Sequence, residues 1–87
     1  MINIEDLKKK IIYRSSYRGT KEMDKLLSTF TNKYISLLKD EELFQLCDLL
    51  DLDDENLYKY NQGQETTIMI ELNNVSELFR NYVYISE

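Results

Sequence analysis

The scarcity of proline and glycine limits what this chain can fold into more than any other feature. Its 87 residues include no proline and two glycines, Gly19 and Gly63. A β-sandwich needs many tight turns, and tight turns depend on glycine and proline at particular positions. Leucine, lysine and glutamate are abundant instead, and all three favour helices. The sequence therefore predicts an all-α fold, a small single-domain bundle of about five helices over residues 1–87.

Composition narrows the class of protein further. With 43% hydrophobic and 31% charged residues, the chain is typical of a small globular domain with one core. No apolar run approaches the roughly 18 residues that span a bilayer. Residues 1–10 lack an apolar segment ahead of a cleavage site, and Glu5 and Asp6 argue against a transit peptide. We therefore expect a cytoplasmic, bacterial protein that does not insert into membranes.

Few residues in the chain could carry catalysis or bind a metal. There is no histidine, which removes the commonest general base and metal ligand. Cys47 is the single cysteine, and it lies on an apolar stripe, where a buried structural role is expected. The acidic run that begins at Asp51 is not an EF-hand, because loop positions six and twelve hold Asn56 and Gln62 instead of glycine and glutamate. The sequence predicts no enzyme and no metal site.

Apolar residues spaced three and four apart predict four helices, and polar residues mark where each begins. The predicted starts are Asn3 as a cap, Thr20 as a cap, the acidic turn at Asp40, and Asp53 as a cap. The first helix is expected to run to about Ser16, and Gly63 to end the fourth. The predicted core residues are Leu27, Phe30, Leu46, Leu50 and Leu57.

The last segment allows two structures. Its apolar residues fit one helical face: Ile68, Leu72, Val75, Phe79, Tyr82 and Val83. Residues 66–70 and 82–85 are also β-prone, and a small hairpin is the alternative. We predict a helix, because residues 75–81 have helical character and leave little room for a hairpin.

Charge is distributed unevenly along the chain. Residues 1–39 contain nine basic and four acidic residues, whereas residues 40–87 contain two basic and twelve acidic ones. A basic, aromatic patch for nucleic acid could form from the lysines at 8–10, Arg14, Arg18 and Lys21 with Tyr13 and Tyr17. A pI near 4.7 argues against that alternative, because the acidic half would repel phosphates.

The junction between the first two helices contains a distinctive group of residues. Gly19 is expected to set a sharp corner, with Arg18 and Glu22 projecting on either side of it. Taken alone, such a pair is most often an ordinary exposed ion pair worth about 0–1 kcal/mol. The residues by themselves leave both this interpretation and a binding role open.

The order of these residues resembles a known family. Residues 13–24, which contain Arg18-Gly19-Thr20-Lys21-Glu22, are similar to the RGxxE region of the succinate dehydrogenase assembly factor 2 family. Residues 26–30 and the acidic segment 53–63 continue the resemblance, which extends over about residues 7–63. Tyr17 replaces a basic residue of the family pattern, Glu55 a proline and Tyr60 a tryptophan. Residues 64–87 match no part of the pattern.

The resemblance implies a bundle of five helices that is not an enzyme. Members bind the flavoprotein subunit of succinate dehydrogenase, or of fumarate reductase in some bacteria, and promote covalent attachment of FAD to a histidine of that subunit. The implied chain is a monomer that holds no cofactor stably, since FAD is handled on the partner. The implied partner-binding residues are Tyr17, Arg18, Gly19, Glu22 and Asp24. The alternatives are a generic helical interaction or regulatory domain and, less favoured, a nucleic-acid binder.

Overall fold

The computed structural model describes residues 3–84, which form five helices. They are α1 (Ile4–Ser15), α2 (Lys21–Tyr34), α3 (Asp40–Leu50), α4 (Asp54–Asn61) and α5 (Asn74–Asn81). No β-strand occurs between residues 3 and 84. The predicted all-α class and the number of helices are confirmed.

Polar side chains begin three of the helices as predicted. The side chains of Asn3, Thr20 and Asp53 accept hydrogen bonds from backbone N–H groups in the first turns of α1, α2 and α4. These bonds satisfy donors that have no partner within the helix. At the other end of α4, Gly63 adopts a left-handed φ of 74° and ends the helix as predicted.

One apolar core joins the helices. α1 packs against α2 and α3, and α5 packs against α3 and α4. The predicted core residues Leu27, Phe30, Leu46, Leu50 and Leu57 are all buried. Cys47 is buried with them, which confirms its predicted place on the apolar face of α3.

An aromatic cluster connects α2 to the C-terminal helix. The ring of Phe30 lies 5.2 Å from that of Phe79 and 5.3 Å from that of Tyr82, both edge to face. Tyr34 packs against Phe30 on the same side, with its ring centre 5.0 Å away. Edge-to-face pairs at these distances add to the stabilisation that burial of the rings supplies.

The predicted extent of the last helix is wrong. α5 begins at Asn74 rather than near Ile68, and both Ile68 and Leu72 are exposed. The reason is a capping box: the Asn73 side chain accepts from the backbone N–H of Ser76, whose hydroxyl accepts from that of Asn73. These two reciprocal hydrogen bonds determine where the helix begins, although the apolar spacing alone would place its start earlier.

The hairpin alternative does not form in the described residues either, although Ile85 lies outside them. Asn56 holds residues 64–73 against α4, because its buried side chain accepts from Thr67 N–H at 2.8 Å and donates to the Thr67 hydroxyl at 3.0 Å. Asn61 donates to the carbonyl oxygens of Phe79 and Tyr82. α4 therefore anchors the chain on both sides of α5.

Candidate functional site

The corner between α1 and α2, residues 16–20, is built around the side chain of Arg18. Its Nε donates to Oδ1 of Asp54 at 2.7 Å, and its other nitrogens donate to the carbonyl oxygens of Arg14, Leu50 and Leu52 at 2.9–3.1 Å. Carbonyls at the C-terminal ends of helices have no partner within the helix. Arg18 supplies donors to the ends of α1 and α3 and so ties the corner to the start of α4.

Asp54 joins the two motif residues at this corner. While Oδ1 accepts from Arg18, Oδ2 accepts from the backbone N–H of Gly19 at 2.8 Å. A Cβ at position 19 would lie 3.0 Å from that oxygen, which is closer than a side chain normally allows. A side chain at this corner would therefore need the Asp54 carboxylate to shift by a few tenths of an ångström.

The expectation that Arg18 projects from the surface is wrong. Its side chain is 13% exposed, and its ion pair is with Asp54, which is 36 residues away in sequence. Among the residues that the structure describes, no ion pair joins Arg18 to Glu22. A guanidinium has five donors in a fixed fork, and the helix-end carbonyls around it accept those donors.

Glu22 and Asp24 lie apart from Arg18 in the first turn of α2. Glu22 is exposed and borders a groove with Tyr58 and Arg80, between α2, α4 and the C-terminal residues. Asp24 is partly buried and lies two residues further on, about 200° around the helix. The structure thus brings Arg18 and Gly19 together but places the two acidic residues on other parts of the surface.

Tyr17 has an unusual backbone conformation. Its φ is 54°, in the left-handed region. Among the described residues, Tyr17 is the one non-glycine residue with a positive φ. Its side chain is 78% exposed. The ring packs against that of Tyr13, which is also exposed, with 5.2 Å between the two ring centres.

Sequence reasoning missed Tyr13 and Asp54 as parts of this site. Tyr13 lies on α1 and Tyr17 lies beyond the end of that helix, so helical spacing could not predict that their rings pair. Asp54 lies within the acidic segment 53–63, and Arg18 lies within the basic part of segment 13–24. Both segments carried the family resemblance, and their opposite charges could have indicated that they meet. The pairing itself depends on the tertiary fold.

The basic patch proposed for nucleic acid is partly neutralised. Arg14 forms an ion pair with Asp51, and Arg18 forms one with Asp54. Both arginines of the patch therefore face carboxylates of the same chain. The other basic residues of the patch are lysines, at positions 8–10 and 21.

Two carboxylates near helix starts are held in their charged form. Hydrogen bonds from the side chain and backbone of Asn56 lower the pKa of Asp53 below its ordinary value. The backbone N–H of Lys39 and then the side chain of Asn74 lower the pKa of Glu42. These shifts follow from capping of helices, so they do not mark a catalytic group.

Residues 3–84 contain neither a cluster of metal ligands nor a membrane-spanning helix. No group of three or more histidine, cysteine or acidic residues could hold a metal ion there. No helix in the described part of the chain is long and apolar enough to cross a membrane.

Comparison with known proteins places the chain among assembly factors. Residues 9–83 match a family described as flavinator of succinate dehydrogenase. A segment of 54 residues is 39% identical to the mitochondrial succinate dehydrogenase assembly factor 2 of Meyerozyma guilliermondii. That segment is 62% of this chain and 40% of the relative, so the chain matches less than half of the relative's length. No solved structure gave a significant match.

The family match continues further along the chain than the motifs do. The motifs ended at residue 63, whereas the match continues to residue 83. The segment that carries α5 therefore belongs to the family pattern, although it contains no motif that could be recognised on its own.

Proposed function

The chain belongs to the family of flavinators of succinate dehydrogenase, and from that premise we propose that it binds the flavoprotein subunit of succinate dehydrogenase or fumarate reductase. In this proposal it promotes the covalent attachment of FAD to a histidine of that subunit. The observation that carries the proposal is the match over residues 9–83, which includes both segments that meet at Arg18 and Asp54.

The chemistry of the reaction is assigned to the partner. This chain has no histidine, so the residue that forms the bond to the flavin belongs to the flavoprotein. The flavin supplies the reactivity for that bond. A helper protein can instead hold the flavoprotein in the geometry that brings histidine and flavin together. We therefore propose a binding protein that is not an enzyme and that holds no FAD stably itself.

The proposed contact surface contains Tyr17, Arg18, Gly19, Glu22 and Asp24. Gly19 is exposed and leaves room for a partner's backbone to approach. Glu22 offers an exposed acceptor on α2. Arg18 contributes by fixing the corner, since its donors already have partners within the chain. We further propose that the chain acts as a monomer in the bacterial cytoplasm.

Co-expression with the flavoprotein subunit tests this function. The covalent flavin on that subunit is measured by in-gel fluorescence, with the wild-type chain, the Glu22→Ala variant or no helper. Glu41→Ala is the matched control, because Glu41 is also an exposed glutamate in the first turn of a helix. We expect the wild type and Glu41→Ala to raise covalent flavin equally, and Glu22→Ala to raise it less at an unchanged melting temperature.

Other outcomes would point to the alternatives. If the wild-type chain neither binds the flavoprotein nor raises its covalent flavin, the proposed function is wrong. Capture of a partner without flavin would favour a generic interaction domain. Salt-sensitive retention on DNA would favour a nucleic-acid binder, because contacts to phosphates weaken steeply with salt.

A further inference from the structure

Building on the proposed function, we infer that Tyr13 and Tyr17 form the direct contact with the flavoprotein and that Arg18 and Asp54 are positioning residues for Tyr17. The partner surface is an acidic patch of the flavoprotein with an apolar side chain at its centre. The inference goes beyond the family motif, because Tyr13 lies outside RGxxE and Tyr17 departs from the basic residue of the family pattern.

The conformation of Tyr17 is the first observation behind this inference. A bulky residue with a left-handed φ is an outlier that persists only where its surroundings impose it. Burial of its ring cannot be the reason, because the side chain is 78% exposed. The strained backbone instead holds the ring beside Tyr13, itself 67% exposed, with 5.2 Å between ring centres. Exposed, preorganised aromatic side chains are typical of contact residues at protein interfaces.

Hydrogen bonds on both sides impose that conformation. Before Tyr17, the backbone N–H of Ser16 donates to the carbonyl oxygens of Ile12 and Tyr13. After it, Arg18 and Gly19 are both bonded to Asp54. Tyr17 therefore links two fixed points, and its φ follows from the positions of its neighbours, while its ring packs against that of Tyr13. In this arrangement the inward-facing arginine acts on binding through the position of Tyr17.

Charge around the two rings indicates the partner. Lys9 and Lys10 are exposed on α1, four and three residues before Tyr13, and so lie on the turn next to it. Arg14 is paired with Asp51 and adds no free charge. An aromatic pair beside lysines complements an acidic surface with an apolar centre. A nucleic acid is less suitable, because both arginines are occupied and the chain has a net charge of −5.

Binding of the purified flavoprotein subunit to three variants tests the contact. Tyr17→Asn removes the ring but keeps a residue that tolerates the left-handed conformation, and Tyr13→Ala removes the second ring. Phe44→Ala, on α3, is the control for loss of an exposed aromatic side chain. We expect the first two variants to weaken binding about tenfold or more, as contact residues do. Phe44→Ala should bind like the wild type, and Tyr17→Asn should not melt at a lower temperature.

A double-mutant cycle tests the positioning role. Arg18→Lys keeps the charge but loses the fork of donors, and it should weaken binding in the wild-type background. In the Tyr17→Asn background the same change should have little further effect, because the ring through which it acts is gone. If Arg18→Lys does not fold, Asp54→Asn takes its place, since it removes the charge that pairs with Arg18 and keeps a side chain of similar shape. Equal effects in both backgrounds would contradict positioning.

The outcomes separate this inference from the proposed function. If the wild-type chain does not bind the flavoprotein, the proposed function fails. If the wild type binds and both tyrosine variants bind equally well, the inference alone fails. Binding that does not weaken as salt rises from about 0.05 to 0.5 M would exclude the acidic patch. A dimer or a DNA complex that Tyr17→Asn abolishes would assign the surface to a second copy or to nucleic acid instead.

Discussion

At the residue scale, one guanidinium stabilises the ends of two helices. The sequence predicted that Arg18 and Glu22 both project at the corner around Gly19, where they could form an exposed ion pair. However, Arg18 precedes Thr20, the N-cap of α2, whereas Glu22 lies within that helix, so Arg18 and Glu22 do not share a helical face. The partner of Arg18 is 36 residues away. Spacing along the sequence cannot reveal such a pair, because it depends on how α4 docks against the corner.

This geometry predicts that Arg18→Ala destabilises the domain. The variant would remove four hydrogen bonds of a mostly buried cation and leave Asp54 without its charged partner. Hydrogen bonds to charged groups contribute about 1.5–3 kcal/mol each when a partner is removed, and they are not additive. We expect a loss of about 2–4 kcal/mol in the free energy of unfolding. Urea denaturation followed by circular dichroism measures it.

Lys21→Ala is the control for Arg18→Ala. Lys21 is an exposed basic residue beside the same corner, and its removal should change stability by less than about 0.5 kcal/mol. Equal urea midpoints for Arg18→Ala and the wild type would contradict the inward-facing guanidinium.

At the element scale, capping chemistry explains which helix boundaries the sequence revealed. Asn3, Thr20 and Asp53 each precede an apolar repeat, so composition and periodicity indicate the same start. For α5 the two signals conflict, because the apolar spacing begins at Ile68 whereas the capping box begins at Asn73. The box determines the boundary, since it satisfies backbone donors that the apolar residues cannot satisfy. In the segment before α5, Thr67 is instead held by hydrogen bonds to Asn56, and Ile70 packs against the core.

The charged caps predict a loss of stability in acid. The pKa values of Asp53 and Glu42 are lowered in the folded chain by the hydrogen bonds that these carboxylates accept. The unfolded chain therefore binds protons at a higher pH than the folded chain does, and stability falls as the pH drops. The contribution is fully present above the ordinary carboxyl range, near pH 4, and is lost as the pH falls through the lowered values.

Urea midpoints between pH 7 and pH 2.5 check this dependence. Asp53→Asn keeps one capping oxygen but cannot titrate, so it should be less stable at pH 7 and lose less stability in acid than the wild type. Glu41→Gln, at an exposed glutamate next to Glu42, should leave the acid slope unchanged. An acid slope for Asp53→Asn as steep as that of the wild type would show that the Asp53 cap is not involved.

At the scale of the whole molecule, the C-terminal helix is part of the single core and not an appendage. Apolar periodicity located Val75 and Phe79 on one face, but it could not show what that face covers. In the structure Phe79 meets Phe30 edge to face, and Asn61 holds the carbonyl oxygens of Phe79 and Tyr82. The matched family pattern continues to residue 83, which agrees with a domain that needs α5 to complete its core.

The last prediction follows from this shared core. Leu27 and Phe79 are fully buried on α2 and α5, so Leu27→Ala should cost about 2–5 kcal/mol and Phe79→Ala about 3–5 kcal/mol. A domain of this length has a total stability of only about 4–13 kcal/mol, and either change should lower the melting temperature sharply. Because α5 packs on the same core, each variant should unfold in one transition that circular dichroism and tyrosine fluorescence report together. If Phe79→Ala melts like the wild type, or if the two probes separate, α5 folds independently of the other helices.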